Sequence, residues 1–157
     1  SPQQRGILLL NVACHEFGHA LGLGHSSSIE AGVGHSEYGD MHSVMGSGTE
    51  APAYSQMQFL GLENDATKLR DGNTTLRKMS SSARTARTWS KRAGSTNCWI
   101  EYRNDDEGKE VLVYTSNDSG SATEVVKALK ANRTALACGK WITVEAMGSN
   151  DAKISVE

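Results

Sequence analysis

Four residues near the start of the chain have the types and spacing to do hydrolytic chemistry. They are His15, Glu16, His19 and His25, within His15-Glu16-Phe17-Gly18-His19-Ala20-Leu21-Gly22-Leu23-Gly24-His25. On a helix each residue turns by about 100°, so His19 lies about 40° from His15, one turn on, and both imidazoles reach one ion. Glu16 lies about 60° from His19 on the same side, displaced enough to miss the ion yet touch a water beside it. His25 cannot share that ion if the helix runs on, because it would sit about 240° round from His19 and about 9 Å further along the axis. The helix must break between them. Gly22 and Gly24 permit this, since glycine enters the left-handed region without steric cost.

Three histidines with an open fourth position describe a catalytic Zn2+; a structural zinc is closed by four protein ligands. Such an ion lowers the pKa of its water towards ~7 and polarises a carbonyl oxygen. Glu16 then reads as the general base, taking the water's proton and later delivering it to the leaving amine. The implied reaction is peptide-bond hydrolysis without a covalent intermediate. A bare H-E-x-x-H also arises among ordinary helix histidines, but here five positions match together. A degenerate site that binds zinc without turnover is a narrower alternative, and the intact Glu16 speaks against it.

The elements that must position these residues follow from periodicity. Pro2 to Leu23 reads as a helix, with Ser1 as N-cap, Pro2 at the first helical position and Gly22 as a stop. Ile7, Leu8, Leu9 and Leu10 cover every side of it, as in a helix buried inside a larger body. Past Leu62 the pattern changes to strands: 99–103, 111–115, 141–145 and 152–156 are rich in β-formers, and Gly148 to Asp151 suits a hairpin turn. The stretch Ser121 to Lys130 reads as a short helix. A boundary falls near residues 62–70.

Charge is uneven along the chain: residues 1–60 carry one basic and five acidic residues, residues 61–157 fifteen and thirteen. The net charge of −2 gives no bulk argument for nucleic acid, and no apolar run approaches the ~20 residues of a membrane span. The chain begins with Ser1 and shows no secretory signal pattern, so it reads as a processed chain or a fragment. None of Cys14, Cys98 and Cys138 lies in a C-x-x-C pair, which argues against a zinc knuckle. Cys98 and Cys138 are expected to pair, leaving Cys14 over. His35 and His42 read as solvated loop residues, with His42 able to line a substrate pocket, and Asp40 as a turn carboxylate. The basic stretch Arg77 to Arg92 reads as a solvated surface, with contact to an acidic polysaccharide as the other reading. Asn73, Asn117 and Asn132 match the glycosylation pattern.

The histidine stretch closely resembles zinc proteases of the metzincin clan, in which a methionine in a tight turn lies beneath the three histidines. Met41 and Met45 are both candidates. Ser43-Val44-Met45-Gly46 resembles the clan's turn, which favours Met45 as structural support. Within the clan the resemblance is closest to the gametolysin (autolysin) family. It is carried by the zinc helix, by Glu37-Tyr38-Gly39-Asp40 with Ser43 to Gly46, and by Ala51-Pro52-Ala53 with Gln58 to Leu62; it is specific over residues 7–62 and loose afterwards. Ser26, after the third histidine, is also similar to matrix metalloproteases. Two departures stand out. Ser47 occupies the position two beyond Met45 where some metzincins keep a tyrosine near the metal. The twisted sheet that precedes the zinc helix in metzincin cores, and with it the upper half of the cleft, falls outside this chain. Part of Ile7 to Leu10 is therefore expected to be exposed.

The resulting expectation is an α+β chain: the zinc-helix/Met-turn half of a metzincin catalytic domain over residues 1–66, followed by a β-rich, sandwich-like module over 67–157. The resemblance implies a secreted zinc endopeptidase acting on extracellular-matrix or cell-wall glycoproteins, with His15, His19 and His25 as ligands and Glu16 as base. The alternative is a non-catalytic, matrix- or glycan-binding β-module attached to a vestigial zinc half.

Overall fold

The β-branched and aromatic runs after Leu62 form strands with the period of two that their alternation demands. The computed structural model describes residues 2–30, 34–64, 66–79, 86–90, 97–117 and 119–157, with side chains described except at 2–7, 30 and 86–90. The elements in order are α1 (Pro2–Ala20), β1 (Ser26–Glu30), β2 (Gly34–Ser36), α2 (Tyr54–Phe59), β3 (Thr67–Lys68), β4 (Gly72–Arg77) and β5 (Ala86–Ser90). There follow β6 (Asn97–Asp105), β7 (Gly108–Ser116), β8 (Thr123–Leu129), β9 (Arg133–Ala137), β10 (Lys140–Met147) and β11 (Asp151–Val156). Ser1, the expected N-cap, lies outside the described residues. The hairpin between β10 and β11 closes through Gly148, whose N–H donates to the carbonyl of Asp151 at 2.7 Å.

Two sheets result, one ordered β2-β1-β8-β7-β6-β5-β3 and the other β4-β11-β10-β9. The first core lies between them. Cys98, Ile100 and Tyr102 of β6 and Val111 and Val113 of β7 face Leu76, Ile142, Val144, Ala152, Ile154 and Val156 of the smaller sheet. The opposite face of β6 and β7 presents Trp99, Leu112 and Tyr114 to a second core with Ala53, Tyr54 and Met57. The central strands are thus covered on both sides. Cys98 and Cys138 form a disulfide, Cα to Cα 6.5 Å, that ties β6 of one sheet to the β9–β10 turn of the other. Closing a loop of 40 residues stabilises the sandwich by about 4 kcal/mol in the chain-entropy model. Cys14 is free and exposed.

The expected α+β division, a zinc-helix half followed by a separate β-module, is overturned. Of the described residues, 49% are in β-structure, and only α1 and the six-residue α2 are helical. The chain leaves His25 directly into β1, which pairs in parallel with β8, Ser26 opposite Thr123 and Ser28 opposite Val125. No separate helical half forms, because the free edge of β8 supplies hydrogen-bond partners for the Ser26-Ser27-Ser28 backbone. The same pairing corrects the reading of Ser121 to Lys130 as a helix. With β1 on one side and β7 on the other, ladder bonds override the helix propensity of Lys127, Ala128 and Leu129.

The N-terminal half of α1 is left uncovered, as expected for part of Ile7 to Leu10: Leu8, Leu9 and Leu10 are 65%, 70% and 62% exposed. Leu10, Phe17 and Leu21 also border an open apolar groove of about 730 Å3 that runs to Leu62. No helix among the described residues is long and apolar enough to cross a membrane.

Candidate metal centre

The break in α1 occurs where glycine permits it. Gly22 takes φ +91°, its N–H donates to the His19 carbonyl, and the Leu23 N–H reaches back to Gly18 at 3.0 Å. This pair of bonds is a Schellman cap, with buried Leu23 as its hydrophobic contact. The next residue, Gly24, passes so close to the β7–β8 turn that a Cβ there would meet Ala122 at 2.8 Å. Its N–H donates to Ser121, and the buried Gln56 side chain holds the carbonyls of both Gly24 and Ser121. The His25 carbonyl then accepts from Thr123 at the head of β8. The third histidine is therefore positioned by the sheet, and the first two by the helix.

The three imidazoles converge, with one ligand atom from each lying within 4.8 Å of the others. The His19 ring centroid is 4.6 Å from that of His15 and 4.8 Å from that of His25. Each Nδ1 is already engaged by an oxygen acceptor: His15 with the Val44 carbonyl at 2.7 Å, His19 with the Leu23 carbonyl at 2.8 Å, and His25 with the Glu37 carboxylate at 2.8 Å. A carbonyl or carboxylate oxygen only accepts, so each Nδ1 acts as donor and leaves Nε2 as the ring atom open to a metal. The Nε2 atoms of His15 and His19 are 3.0 Å apart. Two nitrogens bound to one tetrahedral zinc would be separated by about 3.3 Å. The donor set and its orientation fit Zn2+.

Met45 is wholly buried, whereas Met41 is exposed. The absence of a side chain at Gly18 is what admits Met45, since a Cβ there would collide with its sulfur. The Met45 carbonyl accepts from the N–H of Ser26, the residue after His25, at 2.8 Å. The methionine turn is thus bonded to the strand that carries the third histidine. Glu16 is exposed on α1 and lines, with His15, Tyr38, Leu8, Val12 and Val44, a cleft of about 360 Å3.

The turn is in turn held by the sheet. Asp40 is buried. One of its carboxylate oxygens accepts from the N–H groups of His42 and Ser43, and the other from the hydroxyls of Ser26 and Tyr114. Burial, and then the charges of Asp40 and Glu101, push the Tyr114 phenol well above its ordinary range against the opposing pull of Arg103, so it stays a donor. Asp40 is a turn carboxylate, as expected. His42 is a correction: it is buried, with Nδ1 on Asp105 at 2.8 Å and Nε2 on Glu110 at 3.2 Å. Burial pulls its pKa down, but the hydrogen bonds to Glu110 and Asp105 and the charges of Asp105 and Asp40 overcome this and raise it to about 8. His35 is exposed, 3.6 Å from Glu124.

Glu101 and Arg103 complete the support. They form a buried ion pair on the face of β6 that covers this segment. The Arg103 guanidinium donates to the carbonyls of Ala51 and Pro52, while Glu101 accepts from the Tyr54 N–H. The parts that Glu37, Tyr38, Glu101 and Arg103 take in the site are not legible in their type or spacing. Trp99-Ile100-Glu101-Tyr102-Arg103 held a signal, because its two faces each carry something to bury. Within the basic stretch, Arg77 stands 4.0 Å from Asp151, whereas Arg84, Lys91 and Arg92 lie outside the described residues and the side chain of Arg87 is not described.

Comparison with known families bears on the same region. No curated protein and no solved structure matches the chain. Residues 1–46, under a third of the chain but including the three histidines and Met45, match the family model of the matrixins, which are zinc-dependent, and this supports a metzincin-like relationship for that stretch.

Proposed function

We propose that the chain is a zinc-dependent endopeptidase, with His15, His19 and His25 holding the metal and Glu16 acting as general base. The observation that carries this reading is the convergence of three imidazoles, all with Nδ1 engaged, beside an open cleft that Glu16 also lines. When bound, zinc acidifies water and polarises a carbonyl oxygen. The chain's own groups do the rest. The Leu8, Val12 and Val44 lining of the cleft favours an apolar side chain next to the scissile bond. Glu16 accepts the proton of the attacking water and returns it to the departing amine nitrogen. The Val44 and Leu23 carbonyls and the Glu37 carboxylate fix the imidazoles. The Cys98–Cys138 disulfide supports an oxidising, extracellular setting, and the gametolysin-like motifs point to matrix or cell-wall glycoproteins as substrates.

The test is cleavage of a fluorogenic peptide set by the zinc-loaded protein. Activity should disappear with a chelator and return with zinc. Glu16→Ala should keep its zinc and lose about 10²–10⁴-fold in kcat. A Glu16→Ala variant that cleaves at the wild-type rate contradicts the assignment.

A further inference from the structure

We propose that Tyr38 is a catalytic residue whose phenol donates a hydrogen bond to the oxyanion that forms as water adds to the scissile carbonyl; this rests on the peptidase reading above. Tyr38 lies just past β2, with its ring 4.3 Å from that of His25 and 5.9 Å from that of His15. It is 47% exposed and lines the same cleft as His15 and Glu16. The chain has four tyrosines, and the other three all spend their hydroxyls inside the fold: Tyr54 on the Asn64 carbonyl, Tyr102 on the Gly148 carbonyl and Tyr114 on Asp40. No described residue hydrogen-bonds the phenol of Tyr38. Among the described residues it is the one tyrosine whose hydroxyl is left to a partner outside them.

Its neighbours fix its place. Glu37 is bound to His25, and the Asp40 N–H donates to Ser26. Gly39 lies so tightly against Ser28 that no side chain fits there. With the backbone held on both sides and the ring set against His25, the phenol stays beside the metal ligands, where a donor can meet charge as it develops. In the step, the water oxygen bonds to the carbonyl carbon and one water proton passes to Glu16. The π pair of the C=O bond moves to the carbonyl oxygen, where the Tyr38 O–H donates and keeps its proton. The oxyanion then collapses and the C–N bond breaks. The amine nitrogen takes the proton from Glu16, leaving a carboxylic acid and an amine.

Tyr38→Phe in the intact protein keeps the ring against His25 and removes only the hydroxyl. The proposal expects kcat on a fluorogenic peptide to fall about 10²-fold, with KM and zinc affinity unchanged. Affinity for a phosphinic peptide, whose tetrahedral oxygens imitate the oxyanion, should weaken in step with kcat. Wild-type kcat and wild-type phosphinate affinity in Tyr38→Phe, with zinc affinity lost only in Tyr38→Ala, would make Tyr38 a packing wall and overturn the proposal. A wild-type protein that neither cleaves peptides nor binds the phosphinate defeats the peptidase reading itself, and the role of Tyr38 falls with it.

Discussion

The Nε2 atoms of His15 and His19 face each other at 3.0 Å, while the Nδ1 atoms of both rings are committed to carbonyl oxygens. A cation shared by the two Nε2 atoms would engage both, and the nearby His25 ring makes a third donor available to it. The cluster is therefore pre-organised by groups outside it: Val44 from the methionine turn, Leu23 from the helix cap and Glu37 from the loop after β2.

Glu37 is the least secure of these, because its side chain is 62% exposed. Partners that orient a metal-bound imidazole contribute 10–100-fold in affinity, and this exposure places Glu37 at the lower end. Glu37→Ala should weaken zinc binding by about tenfold, and Glu37→Gln, which keeps an acceptor, by less. Competition titration with a chromophoric chelator measures both. Equal affinities in all three proteins would show that His25 does not depend on Glu37.

Gly18 and Met45 form a matched pair. Gly18→Ala gains about 1 kcal/mol in helix propensity but forces a methyl group into the Met45 sulfur. Overpacking of this kind should leave a net loss of about 1–2 kcal/mol and weaker zinc binding. In a Met45→Ala background, where the sulfur is gone, Gly18→Ala should cost less or stabilise. Thermal unfolding of the single and double variants decides the point, and a higher Tm for Gly18→Ala would refute the packing argument.

His42 makes stability depend on pH. Its folded pKa of about 8 exceeds its ordinary value of 6.5, so the folded state holds the proton more tightly. The stabilisation is fully present below pH 6.5 and is lost as pH rises through 8. The shift corresponds to about 2 kcal/mol. His42→Gln should therefore be less stable than wild type at pH 6, and the gap should narrow by about 2 kcal/mol by pH 9. Urea unfolding of both proteins measures it, since any titration of the other histidines is common to the pair. A gap independent of pH would mean that His42 is not charged in the fold.

Some of this was legible in the residue order, for physical reasons that differ between elements. The approach of His15 and His19 follows from the helical repeat, and the break at Gly22 from its left-handed φ; both are local. Cys98 and Cys138 were the pair left within the β-rich stretch, and they are bonded. The parallel pairing of β1 with β8 was not legible, because it joins Ser26 to Thr123 across most of the chain and no local period records it. Glu101, Arg103 and His42 read as surface residues by type. They are buried because each finds its partner on a distant segment: the 51–54 backbone for the first two, Asp105 and Glu110 for the third.

The most direct test of the central claim is zinc K-edge X-ray absorption on the protein loaded with one equivalent of zinc. Three imidazole nitrogens at ~2.0–2.1 Å, completed by an oxygen, with the imidazole signal reduced by one in His25→Ala, is the predicted spectrum. A sulfur scatterer at ~2.3 Å, which would place Cys14 on the metal, or an imidazole count that His25→Ala leaves unchanged, would contradict the assignment of the site.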